Sequence, residues 1–208
     1  ELHDQHRMQM SVKTNNWLNN FIWKHKINEI PNDDKYDLKI FDSPSKMYEA
    51  IRSKSDDEAY GLSRMLASYD WDWKADGQKW CVNIKDFSLP WNYYYTNVKN
   101  NIPWAENPKS IAEVGSTFTI QGFDLNYVGV IIGPSVKYDP QRKEIFFDAS
   151  ASKNTKAIEK THGGKAINQN LNNELNVLLT RGVYGLYLYA CDENLQNALL
   201  EAQKGNSQ

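Results

Sequence analysis

With 208 residues, and 24 Lys and Arg set against 26 Asp and Glu, the chain has room for one α/β domain and a formal net charge of -2. That charge excludes a general affinity for polyanions, so any nucleic-acid contact must rest on a local patch or on protein outside this sequence. Hydrophobic residues at 40% and charged residues at 24% exclude a disordered chain.

The first residues, Glu1-Leu-His-Asp, carry no initiator methionine and point to an excised domain. Val12, Trp17, Leu18, Phe21 and Ile22 recur at helical spacing and predict an amphipathic helix after Arg7. A turn at Pro31-Asn-Asp-Asp leads into an alternating strand, Tyr36 to Phe41. Ser43 followed by Pro44 reads as the cap and first turn of a helix running to about Lys54. Arg64 to Tyr69 is a predicted strand, Asp70 to Lys79 an exposed loop, and Trp80 to Ile84 the next strand. Residues 87–108 read as irregular and rich in aromatics, with Trp91, Tyr93, Tyr94, Tyr95 and Trp104.

Further on, a short strand is expected at Ser116–Thr119, a turn at Gln121–Asn126, and a buried strand at Tyr127–Ile132. The unbroken apolar run Val128-Gly-Val-Ile-Ile132 is the mark of a central parallel strand. A hairpin over Asp139–Asp148 and a polar, mobile loop over 150–166 follow. Asn168–Leu179 is a helix, Tyr184–Ala190 a strand, and Asp192 caps a last helix to about Lys204. Strands alternating with helices imply a three-layer α/β domain with a mostly parallel sheet covered on both faces.

Three segments carry the chemistry. Gln5-His-Arg-Met8 opens the chain, Thr119-Ile-Gln-Gly-Phe-Asp124 precedes the buried strand, and Leu179-Thr-Arg-Gly182 follows a helix. A domain that assists nucleoside triphosphate hydrolysis needs a cation for the negative charge that spreads over the γ-phosphoryl oxygens, and an arginine offered across an interface is the usual solution. Arg181 suits that task, with Gly182 and Gly185 leaving space beside it; the plainer reading is a surface arginine drawn to a helix C-terminus. Gln121 and Gly122 can present amides to a phosphate or sugar, and Asp124 can accept from a ribose hydroxyl, unless the segment is an ordinary turn. Trp73, Trp91 and their aromatic neighbours can stack on unpaired bases or simply fill the core. Four histidines scattered without ligand spacing argue against a metal site. Cys81 and Cys191 are far apart and read as free thiols of a reducing compartment; with no secretory signal and no apolar run approaching the roughly 20 residues of a membrane span, the cytoplasm is expected.

The order and spacing of these segments resemble motifs IV, V and VI of superfamily 1 helicases. More widely, Arg64-Met-Leu-Ala-Ser-Tyr-Asp-Trp71, Pro90-Trp-Asn92, Glu113-Val-Gly115, Gln121 to Gly133 and Val177 to Gly182 resemble the Schlafen group 3-type DNA/RNA helicase domain of bacterial proteins. The resemblance spans about residues 1–202 and implies that the whole chain is one C-terminal RecA-like domain. It further implies that Arg7 and Arg181 reach the γ-phosphate, that Gln5, Gln121, Gly122 and Asp124 line the nucleotide, and that Thr119 lies near the strand. The sequence holds no Gly-x-x-x-x-Gly-Lys-[Ser/Thr] phosphate loop and no convincing Asp-Glu metal motif after a strand, so the resemblance implies that ATP and Mg2+ are held mainly by an N-terminal RecA-like domain absent here. Single-stranded DNA or RNA would be the other partner. The alternative is a non-catalytic RecA-like docking module for nucleic acid or protein.

Overall fold

Five parallel strands form the central sheet of the computed structural model, which describes residues 8–93, 102–154 and 164–205. In chain order the elements are α1 (Val12–Trp23), β1 (Asp37–Ile40), α2 (Pro44–Ser55), β2 (Arg64–Ala67), β3 (Cys81–Ile84) and β4 (Phe87–Pro90). They continue with β5 (Val114–Gly115), β6 (Leu125–Ile132), β7 (Val136–Asp139), β8 (Glu144–Phe147), α3 (Gly164–Leu179), β9 (Gly182–Ala190) and α4 (Glu193–Lys204). The sheet runs β1-β9-β6-β2-β5, with β3-β4 and β7-β8 as separate antiparallel hairpins.

Period-two alternation on β6 builds the layers. Val128, Val130 and Ile132 face one core with Leu178 and Leu179 of α3, Leu195 and Leu199 of α4, and Phe21 and Ile22 of α1. Tyr127 and Ile131 face a second core with Met47 and Ile51 of α2 and with Val82, Phe87 and Trp91 from the first hairpin. The domain is therefore the expected three-layer α/β fold, consistent with a RecA-like domain.

Local chemistry sets the helix starts. Ser11 accepts from Thr14 N and Ser43 from Lys46 N, while Asp192 accepts from Leu195 N, each satisfying a donor that the first turn leaves orphaned. Pro44 sits in the first turn of α2, where its missing N–H costs nothing. On the outer side of β1, the Gln203 amide accepts from Ile40 N at 2.6 Å and donates to Ile40 O at 3.1 Å. Gln196 donates to Phe41 O and accepts from Ala190 N.

Three expectations need correction. Residues 116–119 are a turn rather than a strand; the strand is the short β5 just before them, and Ser116 N instead donates to Thr119 Oγ1 at 2.7 Å. Residues 87–90 are ordered as β4, paired with β3 through a tight turn in which Lys85 takes a φ of 52°. Asp70, expected in an exposed loop, is only 7% exposed. The polar stretch expected as a loop over 150–166 lies partly outside the described residues, and α3 begins at Gly164.

Candidate functional site

In an all-parallel sheet every strand begins at the same edge. Gln121–Asp124 lead into β6 and Arg181 leads into β9, and these strands are neighbours, with Leu125 in register with Gly182. The two motif segments therefore meet. Leu125 N donates to Arg181 O at 2.8 Å. The Arg181 guanidinium donates to Val177 O at 3.0 Å and to Phe123 O at 3.4 Å, and stands 3.8 Å from Asp124 Oδ1. Side-chain exposure of 22% for Arg181 and 27% for Asp124 leaves both within reach of solvent. The Val177 bond is the C-terminal interaction that any arginine at a helix end can make. The ion pair is long, at 3.8 Å, and only partly exposed, so Asp124 holds the guanidinium loosely.

Beside the arginine, Gln121 and Gly122 are exposed. Gly122 has φ 85°, and a Cβ there would meet nothing within 4 Å, so its backbone lies open to a ligand. Gln5 and Arg7 lie outside the described residues. The chain immediately after them is stitched to the same sheet edge: Met8 is buried in the core and Gln9 N donates to Val183 O at 2.8 Å. A guanidinium partly in water, next to an open glycine backbone, is suited to phosphoryl oxygens. Among the described residues no group of three or more His, Cys, Asp or Glu could hold a metal ion.

Several sequence-predicted residues are placed otherwise. Gly182 and Gly185 do not leave room for a ligand: Gly185 O and Val128 fill the space beside Gly182, and the Tyr127 ring fills that beside Gly185. Trp91 is fully buried against Tyr69 and Trp71, so neither face of its indole is available to a base. Thr119 is 7% exposed, and its hydroxyl accepts from Ser116 N and donates to Ser116 O at 2.9 Å, a turn clasp rather than an outward group. Trp73 is half-buried at the margin of the second core. Tyr94 and Tyr95 lie outside the described residues, and Trp104 is buried with its indole N–H on Glu113.

Two polar centres escaped the sequence reading. Arg64 is 4% exposed and donates to Ser110 Oγ, Ser55 Oγ, Gly61 O and Ser63 O, tying residues 107–112 to the start of β2. At the opposite sheet edge, the Glu174 carboxylate accepts from Tyr69 N at 2.5 Å and from Asn154 Nδ2 at 2.9 Å. Burial, opposed by these bonds and reinforced by nearby Asp70, pushes Glu174 up to about 7. Burial likewise raises Asp70 and, with the Asp70 charge, lifts Cys191 to about 12. A signal for Glu174 did exist: Leu171, Glu174, Leu175 and Leu178 occupy one helical stripe, so the carboxylate falls on the face that packs inward.

No helix among the described residues is long and apolar enough to cross a membrane. The chain is similar over 183 residues, at 43% identity, to the uncharacterized protein YPL245W of Saccharomyces cerevisiae; the match covers 83% of this chain and 39% of that protein. The chain thus spans well under half the length of this relative, which is fungal, whereas the resemblance pointed to bacterial proteins. No solved structure matches it. The model of the Schlafen group 3 DNA/RNA helicase domain matches residues 1–192, nearly the whole sequence, and the chain belongs to that family.

Proposed function

We propose that the chain is the C-terminal motor domain of a superfamily 1-type, nucleic-acid-dependent ATPase, a helicase or translocase working in the cytoplasm. The observation that carries this reading is the meeting of Arg181 with the Gln121–Asp124 loop at one edge of the sheet. When bound, ATP with Mg2+ supplies the phosphoanhydride whose hydrolysis drives the cycle, held mainly by a second RecA-like domain of a longer protein. Arg181, with Arg7, would neutralise the charge that develops on the γ-phosphoryl oxygens, while Gln121, Gly122 and Asp124 orient the nucleotide. Loss of the γ-phosphate removes the arginines' partner, so the domains part and the protein steps along single-stranded DNA or RNA. Open α/β sheets usually bind ligands at the carboxyl ends of their strands. A domain that only lends guanidinium groups across an interface is free of that rule, which fits a site at the amino ends.

The decisive experiment is strand-stimulated ATP turnover by the full-length protein. Arg181→Ala is expected to lower kcat by about 10³-fold, the scale of an arginine finger, while melting temperature and strand affinity hold. The 208-residue chain alone is expected to hydrolyse essentially no ATP; turnover by it that Arg181→Ala abolishes would refute the split-site reading. A second reading, a non-catalytic docking module, draws support from the three local groups that already engage Arg181. It predicts the reverse outcome: a less stable Arg181→Ala protein with unchanged turnover.

A further inference from the structure

Between the start of β1 and the starts of β6 and β9 lies a cavity of about 550 Å³ that the nucleotide reading does not use. Its wall includes Tyr60, Tyr127 and Tyr184 together with Asp33, Asp34 and Asp37, and Lys35 is its one basic lining residue among those described. The tyrosines form a corner of crossed rings: Tyr60 meets Tyr127 at 5.3 Å and 84°, and Tyr184 at 5.4 Å and 68°. Tyr184 is 37% exposed, so one ring of the corner opens to water.

The electrostatics of this corner favour cations. Lys54 already holds its ammonium 4.1 Å from the Tyr127 ring centre and 5.4 Å from that of Tyr60, on the same rings that wall the cavity. Asp37 accepts the Tyr187 hydroxyl at 2.6 Å, and Asp33 accepts from Ser11 N, Thr14 Oγ1 and Lys35 N, so both carboxylates are fixed in place. Asp34 stays exposed at the rim. Burial first, and then the charges of Asp33 and Asp37, push the Tyr36 hydroxyl well above its ordinary range. Three carboxylates outnumber Lys35 and the neighbouring Lys54, so the cavity suits a cation better than a phosphate. Asp33 already accepts from three internal donors, and among the described residues no group of three or more His, Cys, Asp or Glu could hold a metal ion.

We propose that this cavity is a socket for one basic side chain, best an arginine, presented by a segment of a partner protein. A planar guanidinium can lie against the exposed Tyr184 ring while its N–H groups reach Asp34 and Asp37, a pairing of stacking and forked hydrogen bonds that an ammonium matches less well. The inference is independent of the ATPase reading, because it rests on residues that reading leaves out.

The test is a titration of the isotope-labelled chain, following the backbone amides of Val183 to Gly185 by NMR. The probes are the blocked peptide Gly-Gly-Arg-Gly-Gly, its Lys and Glu counterparts, and spermidine. The Arg peptide is expected to shift these amides saturably, the Lys peptide more weakly, and the Glu peptide not at all. Asp34→Asn and Tyr184→Ala, both at exposed positions, are each expected to weaken the Arg peptide by about 2- to 5-fold, whereas Tyr184→Phe binds as the parent does. Equal shifts with the Glu peptide, unchanged affinity in both weakening variants, or no shift with any peptide would overturn the socket. Saturation by spermidine without saturation by the Arg peptide would overturn the assignment to a protein side chain.

Discussion

At the scale of single residues, the neighbourhood of the phosphate-facing candidates is built from groups that do structural duty as well. Arg181 caps α3 and rests near Asp124, yet the ion pair is long, at 3.8 Å, and the guanidinium keeps some contact with solvent. Thr119 is committed more firmly. Thr119→Val would leave Ser116 N buried with no acceptor, and a loss of about 1–3 kcal/mol in urea unfolding is the expected outcome. If that variant unfolds like the parent while strand affinity falls, Thr119 contacts nucleic acid directly and the turn-clasp account is wrong. The motif residues could be singled out as candidates because the proposed chemistry needs particular side chains in a particular order. Arg64 was not legible as a buried hub: its acceptors are hydroxyls and carbonyls from residues 55–63 and 107–110, and nothing in the sequence brings those together.

At the scale of elements, Glu174 fastens α3 to the end of β2 and to the segment around Asn154. Ionising this carboxyl costs more in the fold than in the unfolded chain, where its ordinary value is 4.5, so the folded state holds the proton more tightly. Stability from this group is therefore fully present below 4.5, falls as the pH rises toward about 7, and is flat beyond. The span corresponds to a loss of order 3 kcal/mol. Glu174→Gln is expected to flatten that decline, seen as a smaller difference between denaturant midpoints at pH 5 and 7.5; an unchanged slope would acquit Glu174. Capped helices and the long strands β6 and β9 could be read from Ser43-Pro44, Asp192 and continuous apolar runs. The β3-β4 hairpin hid because its turn, Lys85-Asp86, lacks the Asn-Gly or Gly pair that usually marks a tight reversal; Lys85 bears the positive φ instead. The strand expected at 116–119 failed for the converse reason: β-prone Thr and Phe there are overruled by hydroxyl bonds that close a turn.

At the scale of the molecule, one edge of the sheet gathers Gln9 and the starts of β6 and β9, with Gln9 N donating to Val183 O and Leu125 N to Arg181 O. Parallel topology does this automatically, bringing the segments that precede β6 and β9 together whatever their separation in sequence. The outer boundaries of the sheet are another matter. On one side β5 is only two residues long, with Trp91 bridging to Val114. On the other, the amide of Gln203 occupies both hydrogen-bonding groups of Ile40. That side chain imitates the backbone of a sixth strand, so a passing polypeptide cannot pair with β1 at Ile40. Gln203→Ala is expected to leave the fold intact and to make light scattering rise steeply with concentration, as bare strands from two molecules join; a variant that stays monodisperse would deny the amide this role. Solubility in a crowded cell would then hinge on a single glutamine side chain.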